Sequence, residues 1–380
     1  MSTLTLQNVA QIRKAEINFG DLTVLVGPQA TGKSIALQFL KLLVDTGHVQ
    51  YELTRHGLDW SGRLSDFLET YFGEGMSSIW NSRSKIIWKS ETVALENLAK
   101  RKRRRKPEEL FFIPAQRVLT LRDGWPRPFT DYSSGDPFSV RDFSEKLRLL
   151  MEQEFSGDGN LFPRERRLKS AYRQMLQKDV FSNFRLSVEK SRNQKRLVLG
   201  ARGKPLPYMV WSAGQREFVP LLLGFYWLMP PTKTPRRGDL NWVVIEELEM
   251  GMHPRAISVA LLLVLELLGR KYRVCLSTHS PQVLELVWAL NRIRERGGSA
   301  GDVLDLFGLP QVVRQQLHLV AQRSLEKKMR VYYFERDSGV VRDISALDPT
   351  SQAGEEANWG GLSEFSEHAN EVVARVSANS

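Results

Sequence analysis

Gly27-Pro28-Gln29-Ala30-Thr31-Gly32-Lys33-Ser34 lies between two apolar runs, Leu22 to Val26 and Ser34 to Val44. The first run is short and β-branched and predicts a strand. The second places apolar residues at Ile35, Leu37, Phe39, Leu40, Leu42 and Leu43 and predicts a buried helix. The octet fits the pattern G-x-x-x-x-G-K-S in full. Gly27 and Gly32 permit a tight turn whose backbone N–H groups point inward at phosphate oxygens. The helix opening near Lys33 adds the positive end of its dipole. In such a loop Lys33 reaches the β- and γ-phosphates of ATP, and the Ser34 hydroxyl ligates Mg²⁺.

A second apolar strand, Val243-Val244-Ile245, ends in Glu246-Glu247. Two acids after a strand are commonplace, and a solvated turn is the default for them. Paired with a phosphate loop they gain a chemical role. Glu246 is expected to orient Mg²⁺ through its water shell. Glu247 is expected to position or deprotonate the attacking water. Two further motifs flank this strand. Ser212-Ala213-Gly214-Gln215-Arg216-Glu217 opens a helix before it, and Ser277-Thr278-His279-Ser280-Pro281 ends a strand after it.

With these motifs in this order the sequence resembles the ABC-type ATPase heads, the superfamily of transporters, SMC proteins and RecF. The resemblance implies an α/β fold with a mixed β-sheet core flanked by helices and a helical and β insertion. It maps a γ-phosphate-capping signature onto Ser212, Gly214 and Gln215, and a switch histidine onto His279. Such a site is completed in trans, so a head-to-tail homodimer or higher homo-oligomer is implied. The segment Glu246-Glu247-Leu248-Glu249-Met250-Gly251-Met252-His253-Pro254 is similar to that of the OLD-like (AAA15) branch. Ile113-Pro114-Ala115-Gln116-Arg117 and the tail Val331-Tyr332-Tyr333-Phe334, Asp343-Ile344, Leu347-Asp348 and Trp359-Gly360-Gly361-Leu362 fit it too. That branch includes stand-alone ATPases of anti-phage systems such as PARIS and Septu. Leu248 and Met252 depart from its usual proline and leucine. Gln116 stands where the family has a glutamine that contacts Mg²⁺ and water; the alternative is a helix-capping or buried amide. His253 reads as structural.

The 380 residues carry 42% hydrophobic content, enough for a sizeable core. Strands and helices alternate through the final third: a helix from about Gln215 to Leu228, a strand at Trp242 to Ile245, a helix from Pro254 to Leu268, a strand at Arg273 to Leu276 and a helix from Pro281. Residues 140–180 read as helical, and Phe184 to Leu199 as strands about a turn. The expected organisation is an N-terminal ATPase lobe at 1–50, an inserted basic region at 51–205 holding the Gln116 loop, and a C-terminal ATPase lobe at 206–380. The single cysteine, Cys275, excludes an internal disulfide and suits a reducing cytoplasm. No signal peptide and no stretch long enough to span a bilayer is visible, so a cytoplasmic protein is expected.

The net charge is +11, which points to an anionic partner. An unbroken basic run occupies Lys100 to Lys106, and Arg164, Arg166, Arg167, Lys169, Arg192, Lys195, Arg196, Arg202 and Lys204 add to it. Contact with the DNA backbone and a solvated loop remain equal alternatives for the run, which has no interleaved aromatic residue. The C-terminal part leans acidic. Three functions compete: a phage-defence ATPase that senses a phage protein or DNA and controls a separate nuclease effector, a RecF-like ATPase of DNA repair or chromosome maintenance, and a transporter subunit. The Glu-Glu pair and the segment after it disfavour the third. No TOPRIM or His-Asn-His pattern is found in the chain, so any nuclease is a separate protein.

Overall fold

Alternation at a two-residue period sets the layers of the fold. In a computed structural model, residues 2–378 are described except 101–103, 156–158, 166, 192–193, 202–203, 232–235, 349–350, 352–355 and 357–358. The chain opens with β1 (Thr3–Val9), β2 (Ile12–Asn18) and β3 (Leu22–Val26), then α1 (Lys33–Arg55) and α2 (Leu64–Phe72). β4 (Lys85–Trp88), β5 (Glu91–Val93), α3 (Leu95–Lys100) and β6 (Leu110–Ile113) follow. A small hairpin, β7 (Leu121–Arg122) and β8 (Trp125–Pro126), leads to α4 (Phe138–Glu154), β9 (Asn160–Phe162) and α5 (Ser170–Leu176). β10 (Arg185–Ser191), β11 (Gln194–Ala201) and β12 (Lys204–Pro207) precede α6 (Ala213–Leu228) and β13 (Trp242–Ile245). The last part holds α7 (Pro254–Gly269), β14 (Arg273–Ser277), α8 (Pro281–Glu295), α9 (Ala300–Asp305), α10 (Gln311–Leu325), β15 (Met329–Phe334) and β16 (Val341–Asp343), and a helix at Glu364–Ala378.

The central sheet has the order β16-β15-β3-β14-β13-β6. All its neighbours run parallel except β16, which pairs antiparallel with β15 at one edge. Parallel strands need both faces covered, and the residues obey that. Val24, Val26, Phe111, Ile113, Val243, Ile245, Val274 and Leu276 join one buried cluster with α4, α6, α7 and α8. Leu25, Leu110, Phe112, Trp242, Val244 and Cys275 join a second cluster with α1 and α2. Cys275 is thus a small buried hydrophobe. Separate antiparallel sheets form from β2-β1-β4-β5 and β12-β11-β10-β9.

β6, from within the 51–205 segment, is an edge strand of the central sheet, and α4 packs on it and on α6. The 140–180 stretch departs from the expected continuous helix: β9 interrupts it, at the point where Gly159 and Pro163 break the helical hydrogen-bond ladder. Among the described residues no helix is long and apolar enough to cross a membrane.

Candidate functional site

Five parallel strands deliver their loops to one edge of the sheet. Ligands of open α/β sheets bind at that carboxyl edge. The phosphate loop leaves β3, Thr278-His279 leaves β14, Glu246-Glu247 leaves β13, and Ala115-Gln116-Arg117 follows β6. Because β14 lies between β3 and β13, the loop, the histidine and the acids are neighbours despite their distance in sequence.

Backbone space explains the two glycines of the loop. Gly27 has φ 137°, and a Cβ there would lie 2.4 Å from the Phe334 carbonyl oxygen. Gly32 has φ 96°, and a Cβ there would lie 2.7 Å from Ile12 Cγ1. Lys33 is the first residue of α1, and its ammonium donates to the carbonyls of Gly27 (2.8 Å) and Pro28 (2.6 Å). Burial pulls its pKa down to about 8, with Glu247 opposing and Arg336 adding to the shift. Lys33, Ser34, Glu247 and His279 line one cavity of about 230 Å³, together with Gln11 and Gln29.

Glu246 does not line this cavity and is 2% exposed. Its Oε2 accepts from the Ala115 N–H (3.2 Å). Its Oε1 is buried with no hydrogen-bond partner of good geometry. Burial pushes the carboxyl up to about 7, opposed by the Ser34 hydroxyl and the Ala115 N–H. A buried carboxylate oxygen left over beside a hydroxyl is a fitting donor pair for a hard divalent cation, so Ser34 and Glu246 suit Mg²⁺. Glu247 is held through its backbone, at φ 44°, by Ser277: its N–H donates to Ser277 O (3.0 Å) and to Ser277 Oγ (3.2 Å). His279 has its pKa lowered by burial first and by Lys33 second, with Glu247 opposing, which favours the neutral imidazole.

Three residues at this edge went unassigned in the sequence. Arg117 is fully buried, and its guanidinium donates to the carbonyls of Glu217 (3.2 Å), Glu246 (3.0 Å) and Glu247 (3.1 Å). It clamps the end of the acidic strand to α6. Glu249 accepts from the His279 N–H, and burial raises its pKa. Arg336, beyond β15, donates to Gln29 O (3.1 Å). Arg117 and Glu249 stand inside the segments Ile113 to Arg117 and Glu246 to Pro254, whose sequence shows their place and not their partners. Arg336 has no motif around it.

Other expected site residues lie apart. Ser212 is exposed at the N-cap of α6 and does not line the cavity. Its Oγ accepts from the Gln215 N–H, and its own N–H donates to Gln215 Oε1 (3.1 Å), a reciprocal capping box. Gly214 packs closely on the loop after Glu247: a Cβ there would be 3.1 Å from Gly251 O. Gln116 is exposed, lines no part of the cavity, and caps a 3₁₀ turn without a side-chain hydrogen bond. His253 caps α7, its Nδ1 accepting from the Arg255 N–H (3.2 Å). Of the basic run, 101–103 lie outside the described residues, as do Arg166, Arg192 and Arg202; Arg105 stacks on Tyr51 at 4.5 Å.

Among solved structures, the chain is similar to an SMC head bound to the C-winged helix domain of ScpA, at 11% identity, over 90% of this chain and 95% of that one, with a TM-score of 0.41. It is similar to the SMC head domain from Thermotoga maritima at 11% identity, over 90% and 97% of the two chains, with a TM-score of 0.32. An SMC head with an extended coiled coil, bound to the C-terminal domain of ScpA derived from Pyrococcus furiosus, gives 9% identity, coverage of 90% and 96% and a TM-score of 0.36. No curated protein matches the chain. The family described as "AAA domain, putative AbiEii toxin, Type IV TA system" matches residues 22–285. That span takes in the loop, the acidic strand and the histidine and is more than half of the chain, which therefore belongs to this family of AAA domains.

Proposed function

We propose that the chain binds and hydrolyses MgATP at the Lys33 loop and uses it as a switch on its own assembly. The observation that carries this reading is the meeting of Lys33, Ser34, Glu247 and His279 at one cavity, with the buried Glu246 next to Ser34. Loop N–H groups and Lys33 bind the phosphates, the ammonium exchanging the carbonyls of Gly27 and Pro28 for phosphate oxygens. Ser34 and Glu246 hold Mg²⁺, which supplies positive charge to the β- and γ-phosphates. Glu247 takes the proton of the attacking water. Neutral His279 hydrogen-bonds the γ-phosphate oxygens and reports their presence.

Ser212 lies outside the lining of its own chain's cavity, which supports completion of the site by a second copy. The Ser212 hydroxyl and the α6 N-terminus then cap the neighbour's γ-phosphate. A two-fold pair with two ATP molecules follows, and larger assemblies of such pairs fit the same rule. The OLD-like motifs and the toxin–antitoxin association in the family's description support a sensor ATPase of an anti-phage system that controls a separate nuclease. The charge of +11 favours a second reading, a RecF-like ATPase acting on DNA. Light scattering tests the pairing. The Glu247→Gln protein with ATP is expected at twice the monomer mass, and the Glu247→Gln/Ser212→Arg protein at the monomer mass with ATP still bound. A Glu247→Gln protein that stays monomeric with ATP bound contradicts the trans site.

A further inference from the structure

We propose that a groove between α5, the turn after β9 and the start of β10 binds a strand of nucleic acid through its phosphodiester backbone. The groove has a volume of about 1070 Å³ and lies away from the Lys33 cavity, with which it shares no lining residue. Four cations line it, Arg164, Arg173, Lys178 and Arg185, against one carboxylate, Glu165. Helical spacing puts two of them there. Ser170, Arg173, Gln174, Gln177 and Lys178 follow the i, i+3, i+4, i+7, i+8 pattern and form the polar face of α5 and the π-turn that extends it. The opposite face, with Ala171, Tyr172 and Leu176, is buried, and Tyr172 Oη donates to Glu266 Oε2 (3.1 Å).

These cations differ from Arg167, Lys169 and Arg196 in lacking an ion-paired carboxylate. Arg167 pairs with Glu154 (2.6 Å), Lys169 with Glu266 (2.7 Å) and Arg196 with Glu189 (2.6 Å). Among the described residues no carboxylate lies within 4.0 Å of Arg164, Arg173, Lys178 or Arg185. Arg164 is braced instead. Its guanidinium sits over the Phe155 ring at 4.8 Å and donates to Asn160 O (3.3 Å), while Arg173 donates to Arg164 O (3.1 Å). Four positive charges against the one carboxylate of Glu165 leave the groove net positive, and a polyanion relieves the remaining repulsion. Arg173 and Lys178 lie about 7 Å apart along the helix axis, which suits two phosphates of a chain better than one isolated anion. Among the described residues no aromatic ring lines the groove, so bases find no stacking platform and the backbone carries the contact.

The test uses the full chain, without nucleotide, and fluorescein-labelled poly-dA and poly-dT strands followed by anisotropy across a salt series. The two strands are expected to bind within about twofold of each other. Arg173→Gln/Lys178→Gln/Arg185→Gln is expected to flatten the log affinity against log salt slope by about 2. Lys178→Gln/Arg185→Gln removes side chains that make no hydrogen bond or ion pair among the described residues, so it leaves the fold intact. It is expected to flatten the slope by about 1.4. Unchanged slopes in this double variant overturn the proposal, as does a strong preference for one homopolymer. Displacement of the strands by polyglutamate at equal charge assigns the groove to an acidic protein and also overturns it. Lys33→Ala is expected to leave strand binding intact; loss of it there would move the strand to the nucleotide cavity.

Discussion

Around Lys33 the charge is desolvated and answered by protein atoms: two loop carbonyls hold the ammonium, and Glu247 lies across the cavity. Around Arg173 four cations face an open groove with one carboxylate, Glu165, in its lining, and none of the four is ion-paired among the described residues. Both regions collect cations suited to phosphate. Burial makes each contact in the first strong, weakly screened and tied to the protonation of its neighbours. Exposure makes each contact in the second weak, additive and sensitive to salt. A single substitution is therefore enough to disable the cavity, and several are needed to disable the groove.

The largest expected effect separates the two directly. Lys33→Ala removes two charge-assisted bonds to phosphate, each of about 1.5–3 kcal/mol. ATP affinity by calorimetry is expected to fall at least ~100-fold, with strand binding at the groove unchanged. An ATP affinity within about threefold of the parent protein would break the contrast, because the cavity's cation would then be dispensable.

A smaller effect follows from the shifted groups. Glu246 titrates at about 7, raised by burial, so its carboxylate is lost as pH falls through 7. Lys33 titrates at about 8, lowered by burial, so its charge is lost as pH rises through 8. MgATP affinity is expected to peak between these values and to fall by up to about tenfold per pH unit on either flank. Proton traffic on binding should change sign: release near pH 6.5, where Glu246 must ionise for Mg²⁺, and uptake near pH 8.5, where Lys33 must protonate for phosphate. Calorimetry in buffers of different ionisation enthalpy reads that sign. An affinity flat from pH 6 to 9 would show that neither group is titrating in the cavity.

The same contrast governs what was legible in the sequence. The cavity is built from short contiguous motifs at strand ends, because parallel strands place their C-terminal loops side by side. Gly27 to Ser34, Glu246-Glu247 and Thr278-His279 each read as a unit, and the sheet order brings the units together. Arg117 was harder, since its work is done by a guanidinium reaching carbonyls of the acidic strand, a contact no local pattern encodes. Gln116 shows the opposite case: its position in a motif was clear, and its side chain lies exposed and away from the cavity. The groove was hidden because its cations come from separate elements. Composition drew notice to Arg164, Arg167 and Lys169 alike, and only the ion pairs to Glu154 and Glu266 separate the last two from the first. β9 went unread because three residues between a helix and a proline carry too little pattern to mark a strand.

Single-turnover hydrolysis by Glu247→Gln tests the assignment of the cavity most directly. γ-labelled ATP is bound, excess nucleotide is removed, and retained ATP and released phosphate are followed together. Removing the group that accepts the water's proton is expected to slow phosphate release by about 10²-fold or more, with ATP retained uncleaved on the protein. Phosphate release at the rate of the parent protein would contradict the role given to Glu247, and with it the reading of the cavity as a hydrolytic site.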